Sequence, residues 1–137
     1  MVDRELSLVL PLGASTVAPA AARHAVRQLL DGSVPPAVLA DALLVVSELV
    51  SNAVMHAHRC CSLAVHVRTD DVLIAVDDDA GGCVAVRPTD DPLRPGGRGL
   101  RIVDEITSGW GVERNGHGKR VWATVPCGIT RPSMNGS

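Results

Sequence analysis

The sequence has no phenylalanine and no tyrosine; its aromatic side chains are two tryptophans, Trp110 and Trp122. Rings this scarce exclude an aromatic platform on which successive nucleic-acid bases stack. The core has to be assembled from Val, Leu, Ile and Ala instead. Lysine is nearly missing as well. Lys119 is the single one, and arginine supplies the remaining permanent positive charge. A formal net charge of −2 leaves no cationic excess to neutralise phosphates, which argues against direct nucleic-acid binding.

The four cysteines, Cys60, Cys61, Cys83 and Cys127, form no CxxC pair. The adjacent two have poor geometry for a mutual bridge. His56, His58 and Cys60 offer metal-ligand chemistry, but their spacing across a helix end does not bring them to one face, against a zinc site. The N-terminus carries no signal-peptide pattern, and no apolar run of membrane length is expected. The expectation is a reduced, cytoplasmic chain without membrane attachment.

At 137 residues, 46% hydrophobic and 20% charged, the chain has the size and make-up of one globular domain. That domain is expected over residues 1–126, with 127–137 a disordered tail. Alternation predicts a strand over Leu6–Leu12. Helical spacing through Ala21, Val26, Leu29 and Leu30 follows, with Pro19 in the first turn and Asp31-Gly32 as the stop. A second helix is predicted from Pro36 to about His56, with Leu39, Leu43, Val46, Val50 and Val54 as its buried stripe.

Two strands around a tight turn at Thr69–Asp71 come next, carried by Leu63, Val65 and Val67 and then by "VLIAV". A loop over 80–97 is long enough to cover a ligand. A third helix places Leu100, Ile102, Val103 and Ile106 inward and stops at Gly109. A hairpin with an "NGHG" turn closes the domain. The order β-α-α-β-β-loop-α-β-β implies a two-layer α/β (α+β) sandwich, its sheet mixed but mostly antiparallel, with the helices on one face.

Three stretches carry groups suited to chemistry. In "VVSELVSNAVMHAH", Glu48, Asn52 and His56 recur at steps of four, so all three lie within about 80° of one helical face. A carboxamide oxygen suits Mg²⁺ held mainly by phosphates and water, and a carboxylate one turn earlier suits proton abstraction from a hydroxyl. Taken alone, the row is more simply a solvated helix face. In "VDDDAGG", a strand runs into Asp77, Asp78 and Asp79 and then glycines. A carboxylate there can accept from an exocyclic amine, though solvated turn acids are the plainer reading. Alternation favours Asp78, two residues past Val76, and the choice among the three stays open. In "PGGRGLRIVDEI", glycines open a helix whose first amides have no internal partner and suit phosphate. The stretch is neither a P-loop nor a dinucleotide fingerprint.

Each signal alone is weak, but their order is specific. A helical E-x-x-x-N-A-x-x-H, a strand ending in D-x-x-x-G, a loop, G-x-G-L opening a helix and a W-turn-W hairpin together resemble the GHKL (histidine-kinase-like) ATPase fold over about residues 6–126. "LLVVSELVSNAVMHA" with "GRGLRIVDEIT…WGVERNGHGKRVWATV" resembles the anti-sigma-factor serine/threonine kinases, in the short form of their actinobacterial relatives. The resemblance implies ATP and Mg²⁺, with Asn52 as the Mg²⁺ ligand and Glu48 as the catalytic base. It implies His56 on the phosphate side and Asp78 against adenine, followed by Asp79, Ala80, Gly81 and Gly82 in the adenine box. It also implies Gly97, Arg98, Gly99 and Leu100 facing the phosphates, and the loop between the boxes as an ATP lid.

Two positions depart from the pattern. Ala80 replaces the first glycine of the adenine box, and Arg120 stands two before Trp122, where relatives usually carry a threonine that helps hold adenine. The loop is also short and lacks lysine.

The leading expectation is a protein serine/threonine kinase that phosphorylates a serine on a small antagonist (anti-anti-sigma) protein and sequesters a sigma factor, with a homodimer also implied by the resemblance. The alternative is a non-catalytic ATP-binding adaptor whose lid gates partner binding. A domain that has lost its nucleotide is disfavoured by the joint presence of Glu48, Asn52, Asp78 and both glycines. A histidine kinase is disfavoured because no dimerisation helices precede the domain.

Overall fold

A computed structural model describes residues 6–56, 61–79, 103–114 and 118–127, the side chains of Met55, His56 and Asp79 excepted. Strand β1 (Ser7–Leu12) is followed by helices α1 (Ala18–Leu30) and α2 (Pro36–Ser51). A π-helical turn (Asn52–His56) continues α2, and strands β2 (Cys61–Val67), β3 (Asp71–Asp79), β4 (Gly109–Arg114) and β5 (Gly118–Pro126) follow. The strands form one sheet in the order β1-β2-β3-β5-β4. Every pairing among them is antiparallel, so the described sheet contains no parallel pair of the kind a mixed sheet would have.

Local chemistry accounts for the element ends. Pro11 lies in β1, an edge strand, where a missing N–H is tolerated. Ser15 Oγ accepts from the Val17 amide at 3.1 Å ahead of α1, Pro occupies its first turn, and Gly32 at φ +83° turns the chain away after it. Pro36 opens α2, where its fixed φ suits the first helical position. The β2–β3 turn is held by Arg68, whose Nε and Nη2 donate to the two carboxylate oxygens of Asp71 at 2.7 and 3.0 Å. That pairing holds the Arg68 guanidinium above its usual range. Asp71 is thus the first residue of β3 as well as an end of the turn.

The core lies between the helices and one sheet face and is mainly aliphatic. Val26 and Leu30 of α1, Val45, Val46, Leu49 and Val50 of α2, and Leu63, Val65, Val72, Ile74, Val121 and Val125 of the sheet are all buried in it. The inward side of α1 differs from the expected one: Ala22 is buried and Ala21 exposed, because Ala18, Ala22, Val26 and Leu30 repeat at steps of four. In α2 the buried face is wider than one stripe, adding Val38, Ala42, Val45 and Leu49, whereas Leu39 is only partly buried. The stretch Pro36–Val54 does reach membrane length, 19 residues with a mean hydropathy of 1.7 in its most apolar window. Its apolar surface is explained by this core position between α1 and the sheet.

The expected third helix is described over residues 103–106, with Val103 buried. Trp110 donates from Nε1 to Asp104 Oδ1 at 3.0 Å, and Ser108 Oγ lies 2.8 Å from Thr124 Oγ1, which fastens this turn to the β4–β5 hairpin. Leu100, Ile102, the loop over 80–97 and the tail from 128 lie outside the described residues. Cys127 still belongs to the fold, its amide donating to the Asp70 carbonyl at 2.9 Å.

Candidate functional site

Residues 57–60 alone separate the π-helical turn from Cys61, and Cys61 pairs directly with Asp78. Four intervening residues span at most about 17 Å. The end of α2 that carries Glu48 and Asn52 is therefore tethered to the sheet end that carries Asp78. α2 packs on β3 and β5, and Asp78 is buried on the sheet face that carries the core.

Glu48, in the last turn of α2, and Asn52, which opens the π turn, are half-exposed beside buried Leu49, Val50 and Ala53. Neither side chain has a hydrogen-bond or ion-pair partner among the described residues. The ladder changes character at Asn52, whose amide donates to the carbonyls of both Glu48 and Leu49 as the α-helix gives way to the π turn. Such local π geometry is frequent at functional positions. His56 ends this turn, and its side chain lies outside the described residues, as do Gly82, Gly97, Arg98, Gly99 and Leu100.

The three acids of β3 fall into different environments. Asp78 shares the helix-facing side with Val72, Ile74 and Val76 and is 8% exposed. Its Oδ1 accepts from the Lys119 amide at 3.2 Å, and among the described residues that is its side chain's only hydrogen bond. A buried carboxylate with an oxygen left without a donor is costly unless something supplies one. Asp77 points to the opposite face. Arg120 grips it there through Nε to Oδ1 at 2.7 Å and Nη2 to Oδ2 at 3.0 Å. The Arg120 guanidinium is held above its usual range, first by these hydrogen bonds and then by the charge of Asp77, with Glu113 adding to it. The Asp79 side chain lies outside the described residues.

The same parity relocates the departure noted at position 120. Arg120 belongs to the open face of the sheet, so a hydroxyl there would not reach Asp78. The residue directly opposite Asp78 is Lys119, which the sequence reading passed over. Its signal was present: Val121 and Val125 are inward-facing, and Lys119 has their parity.

The described groups offer an acceptor-only carboxylate in a buried position, a carboxamide and a second, accessible carboxylate. An exocyclic amine fits the first of these, and a hydrated cation among phosphates fits the second. No group of three or more His, Cys, Asp or Glu side chains able to hold a metal occurs among the described residues, so a protein-only metal cage is not what these residues build.

An antiparallel sheet with two helices on one face and a buried acid at the interface makes a two-layer α+β domain. The chain belongs to the family of histidine kinase-like ATPase domains, whose family model matches residues 13–125. Domains of that family bind ATP with Mg²⁺. Among solved structures, the RsbU and RsbW domains of Rv1364c from Mycobacterium tuberculosis are similar in fold, with a TM-score of 0.62 at 20% identity over 87% of this chain. The match takes in 32% of that protein's chain, about a third of its length. No curated protein matches the sequence.

Proposed function

We propose that this domain is a cytoplasmic ATP-binding regulatory protein of the anti-sigma-factor type. In this reading it is a serine/threonine kinase that phosphorylates an antagonist protein and sequesters a sigma factor. The observation that carries the reading is Asp78, a nine-tenths buried carboxylate with one oxygen lacking a donor among the described residues. It lies at the sheet end to which the Glu48–Asn52 helix is tethered. Membership of the histidine kinase-like ATPase family supports an ATP-dependent activity over a domain without nucleotide.

Each residue has a distinct task in this reading. Asp78 accepts from the adenine amine and fixes the base. Asn52 would hold Mg²⁺ through its carboxamide oxygen, and the metal would supply charge neutralisation at the phosphates. Glu48, one turn earlier, takes the proton of the incoming serine hydroxyl. The seryl oxygen bonds to the γ-phosphorus as the bond from that phosphorus to the departing ADP oxygen breaks. His56, Gly82, Gly97, Arg98, Gly99 and Leu100 complete the phosphate and base contacts.

The test is calorimetric titration of MgATP into wild type and Asn52→Ala, followed by phosphate transfer from labelled ATP to serine-bearing antagonists by wild type and Glu48→Gln. Loss of a contact to a charged ligand weakens binding by about 10- to 100-fold. Wild-type binding that falls by this amount in Asn52→Ala, with transfer abolished in Glu48→Gln, is the expected result. Binding without transfer to any antagonist would leave the non-catalytic adaptor. No binding by folded wild type would remove both.

A further inference from the structure

One row crosses all five strands at the Asp78 end of the sheet: Leu12 pairs with Cys61, Cys61 with Asp78, Asp78 with Lys119, and Lys119 with Arg114 on the edge strand. Residues directly opposed in an antiparallel pair share a face, with Cβ atoms about 4.5–5.5 Å apart. Asp78 is on the face covered by the helices, so Lys119 leaves its strand on that face too. Burial agrees with this placement: Val121, Ala123 and Val125, of the same parity, are all buried, whereas Lys119 is half-buried at the end of the strand. On the other side of Asp78, Cys61 is 5% exposed and contributes a small, weakly polar side chain, with Leu12 beyond it.

Asp78 and Lys119 are thus bound to each other twice, by strand pairing and by the Lys119 amide on Asp78 Oδ1 at 3.2 Å. Their side-chain chemistries are complementary. An ionised aspartate only accepts, and a lysine ammonium only donates, with three protons on a flexible four-carbon stem. Lys119 also makes a contact within the protein, and its ammonium carries three donors in all. Side by side, the two present an acceptor next to a donor, which matches a base edge bearing a donor next to an acceptor. The adenine edge, its exocyclic amine beside ring nitrogen N1, has that order; guanine, with O6 beside N1–H, has the reverse.

We infer that Lys119 is a second base-reading residue, donating to N1 of the purine whose amine Asp78 accepts, and that this two-point contact sets the selectivity for adenine. The inference rests on the nucleotide-binding reading above and assigns to that site a residue of this chain's own. It also gives the sole lysine of the sequence a role that arginine would fill poorly, since a planar fork is broader than a point donor.

The test compares MgATP, Mg-1-deaza-ATP, which lacks the N1 acceptor, and MgGTP. Each is titrated into the full chain as wild type, Lys119→Met and Asp78→Asn, with thermal unfolding as the folding control. Wild type is expected to bind ATP about 10-fold more tightly than 1-deaza-ATP, the scale of one charge-assisted hydrogen bond. Lys119→Met is expected to lose that ratio by weakening ATP alone, and to narrow the gap between ATP and GTP. Equal weakening of ATP and 1-deaza-ATP in Lys119→Met would reduce Lys119 to a general charge effect and overturn the inference. So would unchanged ATP binding. Should Lys119→Met fail to fold, equal affinity of wild type for ATP and 1-deaza-ATP overturns it without the variant. Absence of any nucleotide binding by wild type sinks the nucleotide reading itself, an outcome distinct from the others.

Discussion

Arg120 and Asp77 form a two-pronged ion pair across β3 and β5, at 2.7 and 3.0 Å, on the sheet face away from the helices. The pair occupies one acid of a run of three and leaves its neighbour Asp78 to the interior. Both partners are well exposed, 49% and 41%, so water and salt weaken their attraction. A double-mutant cycle with Arg120→Ala and Asp77→Ala is expected to give a coupling of about 0.2–1 kcal/mol. It should diminish in 1 M salt, where the screening length is about 3 Å. MgATP affinity should not change measurably in Arg120→Ala, because the side chain faces away from Asp78. A marked loss of affinity would place position 120 in the site after all.

Trp122 is packed against two glycines of the edge strand. A methyl group added at Gly111 would come within 3.0–3.1 Å of three indole atoms, whereas one at Gly109 would sit 3.7–3.8 Å from its nearest neighbours. Gly111→Ala is therefore expected to destabilise the fold by about 1–3 kcal/mol through overpacking. Gly109→Ala should be neutral or slightly stabilising, since alanine loses less chain entropy in a strand. Urea unfolding followed by tryptophan fluorescence would separate the two. Equal effects would mean that the indole moves aside freely.

Leu49 and Leu44 lie on the same helix in opposite surroundings, 2% and 39% exposed. Leu49→Ala should cost about 2–5 kcal/mol, the range for truncating a leucine in a close-packed core. Leu44→Ala should stay within about 0.5 kcal/mol. The measurement is the pair of denaturation midpoints, and a large cost at Leu44 would show that it is covered by something other than solvent.

Burial raises the Cys127 thiol above its ordinary 9.0, with Asp71 and Asp70 adding to the effect. The raised value favours the neutral thiol in the folded chain. Its contribution to stability is thus complete below the unfolded value and is lost as pH climbs through the folded one. At about pH 8.5, close to the value of a free thiol, alkylation of Cys127 should be slower in the folded protein than in urea. Asp70→Asn should speed it. Site-resolved mass spectrometry distinguishes Cys127 from the other cysteines, and equal folded and unfolded rates would contradict the prediction.

The helix and strand pattern was readable because its period is local. Val46, Val50 and Val54 mark an inward stripe by spacing alone, and Leu63 and Val65 alternate as a half-buried strand must. The row Glu48–Asn52 was equally visible, and the parity of Val76 already favoured Asp78. The inward turn of Ala22 was missed because a run of alanines carries no contrast between faces. The membrane-length apolar stretch of α2 was missed because Asp41 and Glu48 interrupt it, and a helix covered on several sides reads as continuously apolar.

What the sequence determined by itself is the inventory of elements, their order, an aliphatic core and the identity of the polar groups near the helix end. Those follow from side-chain volume, hydropathy and periodicity, which act over a few neighbouring residues. Tertiary structure decided which groups meet. Strand parity and cross-strand register together put Arg120 with Asp77 on one face and Lys119 with Asp78 on the other, and a slip of one residue would exchange them. Register is set by pairing between segments about forty residues apart, so no local pattern encodes which donor stands opposite the buried acid.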